Sequence, residues 1–467
     1  MTRLTADLRA MVTAGRPGDA LPSARELVAR YRVSPVTVTR ALHTLVAEGL
    51  VQTRPGHGTF VAAGMVGEPA TTRRTAAGRP GGPDLGWQTV ALADRVVDDG
   101  GLAANLEPPD PAASNLSTGY LDAKLTPARA LADALARAGR RPGAWERPPV
   151  AGLPALRRLL ADQAGVEPAD MLVVAGGQAG LSTAFRALVP PGAPVLFETP
   201  TYPGAIIAAR VAGLRPVPVP ADSDGLRPDL LAEAFAMTGA RMLYCQPAYA
   251  NPTGAVLAPA RRAAVLDAVR GAGAFLLEDD WARHFGLPGP PPPPLIRDDP
   301  DGHVVHLATL TKPISPSLRI AGLAARGPAL ARLRALRAVD EFFVSQPLQE
   351  AAVEFLTAPA WPRHLATLRR ALTVRRNTLV EALRAAGLDP GRIPGGGLHL
   401  WVRLPDGTDP AAVARRCARN GVLVDAGDAY HAAEPDGPYL RLTFCAAGPD
   451  ALAAGARVIA EAVSGQT

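Results

Sequence analysis

The chain has 467 residues, of which 48% are hydrophobic and 20% are charged. This composition allows a large buried core and excludes a wholly disordered chain, and at roughly 100–200 residues per domain the length predicts two to four domains. The formal net charge of +6 at pH 7 permits nucleic-acid binding without requiring it.

Residues 1–62 have the pattern of a small DNA-binding module. Ser23 and Glu26 form a capping box before an apolar-periodic helix, and Ser34 begins a second helix about three residues after the first one ends. Two short strands flank a glycine-rich turn at 54–58, which predicts a wing. Eight arginines against four acidic residues give this segment a charge of +4, which is the distribution that phosphate contacts require.

Residues 63–112 are rich in Gly, Pro, Ala, Thr and Arg. They show no sustained periodicity before about Trp87, so we predict a flexible linker, with a short helix near 89–97.

From residue 113 onward, helical patterns alternate with short apolar runs, which predicts an α/β fold with a large, mainly parallel sheet. The part at about 345–467 holds helices and a few strands, and it predicts a smaller α+β lobe. Five apolar runs are candidate buried strands: Met171–Val174, Val195–Glu198, Met242–Cys245, Phe275–Glu278 and Val304–Leu307.

Other whole-chain features concern location. The first 14 residues lack the apolar stretch of a signal peptide, and no apolar run approaches the roughly 18 residues that a membrane span needs. Three widely spaced cysteines form no metal pattern and no disulfide framework. We therefore expect a cytoplasmic protein with free thiols and no membrane association.

Lysine usage singles out one position. Only Lys124 and Lys312 among the 49 basic residues are lysines, and lysine, unlike arginine, can act as a nucleophile. Lys312 follows an apolar strand, with Thr309 and Thr311 before it and Arg319 seven residues later. Such a set suits an aldehyde cofactor that bears a phosphate, namely pyridoxal 5'-phosphate (PLP), although a lone lysine in a polar loop is more often structural.

Three further segments favour the cofactor. Asp279 lies at the end of an apolar strand and could face a pyridine nitrogen, and Asn251 lies in an Asn-Pro-Thr-Gly turn where its amide could meet a phenolic oxygen. Gly177 and Gln178 open a helix after a strand, which is a site for an anion. Each segment alone also fits an ordinary strand end, turn or helix start.

The order and spacing of these motifs resemble the fold-type I aminotransferases over about 113–467. The resemblance implies that Lys312 forms a Schiff base with PLP, that Asp279 is the partner of the ring nitrogen and that Asn251 faces the phenolic oxygen. Tyr202 is implied to stack on the ring. The implied phosphate cup comprises Gly177, Gln178, Thr309, Thr311 and Arg319.

The resemblance also extends to the substrate side. Arg441 is implied to grip a substrate α-carboxylate, with Gly119 as a backbone contact near that carboxylate. Sites of this fold lie at a subunit interface, which implies a homodimer. Two positions depart from the common pattern, because Trp281 and Trp145 stand where many relatives have tyrosine. Both departures leave PLP binding plausible and weaken the expectation of efficient transamination.

Residues 1–62 resemble the GntR-type winged helix, and its fusion to an aminotransferase-like domain resembles the MocR subfamily of GntR regulators. The Gly-Gly-Gly-Leu-His run at 395–399 also fits that subfamily. Base readout is expected from Ser34, Thr37, Thr39, Arg40 and His43, and phosphate or wing contacts from Arg25, Arg54 and His57. Each of these residues fits a solvated polar face about as well.

We therefore predict a PLP-dependent transcriptional regulator that binds promoter DNA and senses an amino compound, or PLP itself, through Schiff-base chemistry at Lys312. The alternative is a class I/II aminotransferase that acts on an amino acid and carries an accessory DNA-binding module. A third interpretation is a PLP-sequestering protein without DNA binding.

Overall fold

The computed structural model describes most of the chain. The described residues are 3–14, 19, 21–22, 24–31, 38, 41, 45, 51–54, 58–61, 86–92, 106–108 and 110–465. They fall into two compact units, Met1–Val96 and Val97–Thr467. Within these described ranges, no helix has both the length and the apolar character that crossing a membrane would need.

The first unit contains short helices and a hairpin. Helices whose bounds lie within its described residues are Arg3–Ala14, Ala24–Tyr31 and Gly86–Ala91. Strands β1 (Val51–Arg54) and β2 (Gly58–Val61) pair in antiparallel register. The apolar spacing of the helices directs one face inward, because side chains three and four residues apart share a helix face. The buried core comprises Leu4, Leu8, Val12, Leu21, Leu27, Val38, Ala41, Leu45 and Val51.

The predicted DNA contacts are only partly within this description. Arg25 lies in the helix Ala24–Tyr31, and Arg54 is the last residue of β1. Six other predicted contacts lie outside the described residues: Ser34, Thr37, Thr39, Arg40, His43 and His57. All eight therefore stay predictions.

The second unit is built on a large sheet and a smaller one. Its strands are β3 (Ser114–Asn115), β4 (Met171–Val174), β5 (Pro194–Thr199), β6 (Arg215–Asp222), β7 (Gly225–Leu226), β8 (Met242–Cys245), β9 (Phe275–Asp280), β10 (Val304–Thr309), β11 (Ala321–Ala324), β12 (His399–Arg403), β13 (Val422–Leu423), β14 (Asp425–Ala426) and β15 (Tyr439–Thr443). The large sheet has eight strands in the order β4-β11-β10-β9-β8-β5-β6-β7. Neighbours from β10 to β6 are parallel, and the remaining pairs are antiparallel.

All five predicted strands belong to the large sheet, so the mainly parallel α/β fold is confirmed. Successive residues of a central strand enter different cores: Leu196 and Leu243 pack in one cluster, and Phe197 and Tyr244 pack in another. The sheet is thus covered on both faces, which explains why its strands are continuous apolar runs.

Helices occupy most of the remaining unit, and many begin with proline, whose fixed φ suits the first helical turn. They are Ala128–Ala138, Pro154–Ala164, Gly177–Leu188, Pro203–Val211, Pro228–Thr238, Pro259–Gly271, Gly327–Glu341, Gln346–Thr357, Ala360–Ala385, Pro410–Arg419 and Pro449–Ser464.

The smaller sheet is antiparallel with the order β12-β15-β14, and β13 pairs with β3 in parallel. Its core includes Leu400 and Leu442 and is shared with Tyr249 and Trp281, which follow strands β8 and β9. The smaller sheet therefore packs beside the carboxyl ends of the parallel strands, where ligands of α/β sheets bind.

Candidate functional site

A cavity of about 380 Å³ lies at the carboxyl ends of β5, β8, β9 and β10. This volume falls in the range of ligand pockets. The structure brings together in its wall all eleven residues that the sequence predicted for cofactor and substrate: Gly119, Gly177, Gln178, Tyr202, Asn251, Asp279, Thr309, Thr311, Lys312, Arg319 and Arg441.

Lys312 reaches into the cavity from the segment after β10. Its Nζ donates a hydrogen bond to the carbonyl oxygen of Gly119 at 3.0 Å and lies 3.9 Å from the ring centroid of Tyr120. Burial lowers the pKa of Lys312 to about 8. A larger share of the amine is therefore neutral near pH 7 than for an exposed lysine, and the neutral amine is the nucleophile.

Asp279, near the end of β9, is held by two donors. Its Oδ2 accepts hydrogen bonds from the Tyr244 hydroxyl at 2.7 Å and from Nε2 of Gln246 at 2.8 Å. Burial raises the pKa of Asp279 to about 6, while these hydrogen bonds oppose the rise. Gln246 also accepts a hydrogen bond from the backbone N–H of Asn251 at 2.9 Å, so one side chain positions both predicted ring contacts.

An anion cradle lies where the helix Gly177–Leu188 begins, and backbone N–H groups are unpaired at such a helix start. Arg319 stands beside it, and its Nη2 donates to the carbonyl oxygen of Ala175 at 2.9 Å. Oγ1 of Thr311 is buried without a hydrogen-bond partner among the described residues. The guanidinium of Arg319, the hydroxyl of Thr311 and the N–H groups at the start of the helix together form the donor set that a phosphate requires.

Gly176 allows Arg319 to lie close to the backbone of the anion cradle, and its substitution tests the role of the cradle in PLP binding. It has a φ of +89°, and a Cβ added there would lie 2.8 Å from Cζ of Arg319. We expect Gly176→Ala to displace the guanidinium and weaken PLP binding about tenfold, measured by titrating cofactor-free protein. Gly192→Ala is the control, because that residue has a φ of +84° with no atom within 4 Å of an added Cβ. Equal affinities of the two variants would contradict the prediction.

Tyr202 immediately precedes the helix Pro203–Val211. Its hydroxyl donates to Oε1 of Gln178 at 3.2 Å, and Nε2 of Gln178 donates to the carbonyl oxygen of Gly204 at 2.8 Å. A Cβ at Gly204 would lie 2.3 Å from Cζ of Tyr202, so only glycine allows this ring position. Burial raises the pKa of Tyr202, which therefore remains a neutral donor.

Arg441, on β15, is enclosed by acceptors. Its Nη2 donates to Asp425 and to the backbone carbonyl of Ser117, and its Nη1 donates to Oδ1 of Asn251 at 3.4 Å. The hydroxyl of Tyr430 donates to Oδ2 of Asp425 at 2.9 Å.

Two further residues of the wall are aromatic. Ring centroids of Trp281 and His399 lie 5.7 Å apart, and Nε1 of Trp281 and Nδ1 of His399 are buried without partners in the described part of the chain. Burial, with the positive charges of Arg441 and Lys312, holds the pKa of His399 well below its usual range. The imidazole is therefore neutral near pH 7.

Sequence reasoning missed several wall residues that the fold brings in: Tyr120, Gln246, His399, Asp425 and Tyr430. The Gly-Gly-Gly-Leu-His run marked the position of His399 without giving it a role. The signal for Asp425 was its strand pairing with Arg441, which no local pattern reveals.

The wall fits PLP chemically. A reactive amine, a buried carboxylate and a cationic cradle face one space, and Oγ1 of Thr311 and Nε1 of Trp281 are buried there without protein partners among the described residues. Buried polar atoms are normally hydrogen-bonded, so unpaired atoms in a cavity wall favour a polar ligand.

Comparisons with known proteins agree with this chemistry. The family described as aminotransferase class I and II matches residues 113–457, and the family described as bacterial regulatory proteins, gntR family, matches residues 2–61. The HTH-type transcriptional regulator TauR of Rhodobacter capsulatus is 29% identical, over 98% of this chain and 96% of its own length. The HTH-type pyridoxine biosynthesis transcriptional regulator PdxR of Corynebacterium glutamicum is 30% identical, over 85% of this chain and 82% of its own length.

A solved structure is similar to most of the chain. The α-aminoadipate aminotransferase LysN of Thermus thermophilus, complexed with N-(5'-phosphopyridoxyl)-L-leucine, is 28% identical. The match has a TM-score of 0.75 and covers 81% of this chain and 98% of that chain.

Proposed function

Because the chain belongs to the aminotransferase class I and II family and carries a gntR-family domain ahead of it, as the MocR subfamily of regulators does, we propose that its cavity is a PLP site that controls DNA binding. The chain is an HTH-type transcriptional regulator with an aminotransferase-like domain, and its cofactor is pyridoxal 5'-phosphate. The observation that carries the proposal is the convergence on one cavity of all eleven residues predicted for cofactor and substrate. We assign the DNA-binding domain to 1–62, the linker to 63–112 and the PLP-binding domain to 113–467.

Within this proposal each side chain has a separate task. When bound, the cofactor supplies an aldehyde that reacts with amines and a ring that withdraws electrons. Asp279 would meet the ring nitrogen, Asn251 the phenolic oxygen and Tyr202 the ring. Lys312 would provide the amine. The residues that would hold the phosphate are Gly177, Gln178, Thr309, Thr311 and Arg319.

The regulatory step requires a difference between two states. An amino compound, or PLP itself, enters the cavity and competes for the contacts that Lys312 makes with Gly119 and Tyr120. A ligand shifts a conformational equilibrium only as far as its affinities for the two states differ. We propose that this difference arises where the smaller sheet packs on Trp281, because that contact joins the cavity wall to the smaller core.

Turnover as an aminotransferase is the less favoured function. TauR and PdxR are both named as regulators, and the alignment with TauR, over 98% of the chain, includes both the gntR-matched and the aminotransferase-matched parts. Trp281 replaces a tyrosine common in the family, and an indole N–H donates but cannot accept a hydrogen bond.

We also propose a cytoplasmic homodimer. The second unit exposes large apolar side chains at Trp145, Val339 and Phe342, which are 80%, 77% and 72% exposed. Val339 and Phe342 lie three residues apart at the end of the helix Gly327–Glu341, and contiguous exposed apolar surface marks interaction sites. Nε1 of Trp145 donates to the carbonyl of Gly139 at 3.1 Å, which fixes the ring at the surface.

DNA binding by the purified protein tests the proposed function. We expect specific, salt-dependent binding to the DNA upstream of its own gene, and we expect PLP to change the affinity by about 5- to 150-fold. Lys312→Ala should retain DNA binding and lose the response to PLP. Lys124→Ala, which changes the other lysine at an exposed position outside the cavity, should behave as wild type. Absence of specific binding in every state would contradict the proposed regulatory function and favour the aminotransferase.

A further inference from the structure

The charged residues of the cavity wall provide few cations that a carboxylate ligand could bind. Among the described residues that line the cavity, the cations are Lys312, Arg319 and Arg441, and the anions are Asp279 and Asp425. In the proposed function, Arg319 meets the phosphate and Lys312 the aldehyde. Arg441 is then the cation that remains for the carboxylate of an amino acid.

Arg441 is already paired within the chain. Asp425 on β14 is its direct cross-strand partner on β15, and the two side chains are joined by a hydrogen-bonded ion pair. Both are largely buried, with 7% of the Arg441 side chain and 15% of the Asp425 side chain exposed. Strand pairing fixes the backbone of both residues, so their approach does not depend on a mobile loop.

Other groups complete the pair. The Tyr430 hydroxyl donates to Oδ2 of Asp425, the same oxygen that accepts from Arg441, and the Tyr430 ring centroid lies 5.1 Å from Cζ of Arg441. The backbone carbonyl of Ser117 also accepts from Nη2, the nitrogen that donates to Asp425, and Oδ1 of Asn251 accepts from Nη1 at 3.4 Å. Nε of Arg441 is buried without a partner among the described residues. A carboxylate that contacted two nitrogens of the guanidinium would have to compete with the acceptors already bonded to Nη1 or Nη2.

We propose that Asp425 occupies the carboxylate subsite, and that the effector is therefore an amine without an α-carboxylate. This inference rests on the proposed function and names the ligand class of the same site. An α-carboxylate at Arg441 would have to share one guanidinium with Asp425, and like charges in close contact disfavour binding strongly. A decarboxylated amine meets no such repulsion.

A matched pair of stable ligands tests this directly. N-(5'-phosphopyridoxyl)-L-leucine and N-(5'-phosphopyridoxyl)-3-methylbutylamine differ only in the carboxylate, and both can be titrated calorimetrically into the cofactor-free full-length protein. We expect the carboxylate-free ligand to bind at least about tenfold tighter to wild type. Equal affinities, or tighter binding of the leucine adduct, would overturn the inference. This comparison needs no variant, so a folding defect cannot obscure it.

Two variants locate the cause. Asp425→Asn keeps the size of the side chain and removes its charge, and we expect it to abolish or reverse the preference by strengthening binding of the leucine adduct about tenfold or more. Asp428→Asn changes an exposed acid three residues away that does not line the cavity, and it should preserve the wild-type preference. If Asp425→Asn retains the preference, Asp425 is not its source and the inference is wrong.

The same titrations distinguish failure of the proposed function from failure of the proposed effector class. If PLP itself fails to bind wild type, the proposed function and the inference fall together. If PLP binds and alters DNA affinity while the leucine adduct binds as well as the amine adduct, the regulator stands and only the effector class is wrong.

Discussion

Asp279→Ala is expected to weaken PLP binding about 30- to 1,000-fold, equivalent to about 2–4 kcal/mol. The change removes the predicted partner of the ring nitrogen and also leaves the Tyr244 hydroxyl and Nε2 of Gln246 without the acceptor that they now share. Both effects act in a buried site, where an unmade hydrogen bond costs most. The measurement is a PLP titration of cofactor-free protein followed by absorbance.

Two controls separate charge from folding. Asp279→Asn keeps an acceptor oxygen but has no charge, so we expect intermediate affinity and a changed spectrum of the bound cofactor. Asp267→Ala changes an aspartate whose side chain is 71% exposed, and it should bind PLP as wild type does. Wild-type affinity in Asp279→Ala would remove Asp279 from the site.

The affinity for PLP should depend on pH through the protonation of Asp279. Burial raises the pKa of Asp279 to about 6, so in the cofactor-free protein the carboxylate becomes protonated as the pH falls through that value. A protonated carboxyl does not provide the negative charge that favours a protonated ring nitrogen. The affinity of wild type for PLP should therefore decline below about pH 6, and the affinity of Asp279→Asn should change less.

Much of the site could be predicted because the residues that carry its chemistry lie in short, recognisable segments of the sequence. Lys312 stood out in a chain with two lysines, and Asp279 and Gln178 lie at strand and helix ends that the apolar runs identify. Parallel strands place their carboxyl ends at one edge of a sheet, which is why motifs far apart in sequence meet. The fold class followed from the same runs.

The remainder depends on pairings that no local pattern encodes. β11 lies between β4 and β10 and pairs with both in antiparallel register, although three of its four residues (Ala321–Ala324) are alanine or glycine and too small to signal a strand. The pairing of Asp425 with Arg441 likewise arises only when β14 meets β15. A resemblance carried over residue by residue therefore assigned Arg441 to a carboxylate ligand and missed the internal acid beside it.

Such an internal acid is consistent with sensing rather than turnover. Transamination of amino acids requires the arginine to bind and release a carboxylate in every cycle, whereas a sensor needs one ligand to alter one equilibrium. In this chain, the guanidinium of Arg441 is committed to Asp425, Asn251 and the Ser117 carbonyl. The proposed effector class and the preference for a regulatory function therefore have the same structural basis.

Lys312→Met is expected to stabilise the cofactor-free protein by about 2 kcal/mol at pH 7. Burial lowers the pKa of Lys312 from 10.5 to about 8, so the native site disfavours the charge that the unfolded chain carries freely. The full shift corresponds to about 3 kcal/mol, but water in the cavity and the lost hydrogen bond to Gly119 reduce the gain. Methionine has similar length and carries no charge.

The way in which the stability advantage of Lys312→Met changes with pH distinguishes removal of a buried charge from simple repacking. Between about pH 8 and 10.5 the unfolded chain binds more protons at Lys312 than the native chain, so the unfolding free energy of wild type rises with pH across that window. The advantage of Lys312→Met should therefore be largest below pH 8 and shrink as the pH rises toward about 10. Urea unfolding followed by tryptophan fluorescence, with the exposed Lys124→Met as control, measures it. An advantage that stays constant with pH would mean that the buried charge is not the cause, and that burial does not lower the pKa of the Lys312 amine in the cofactor-free protein.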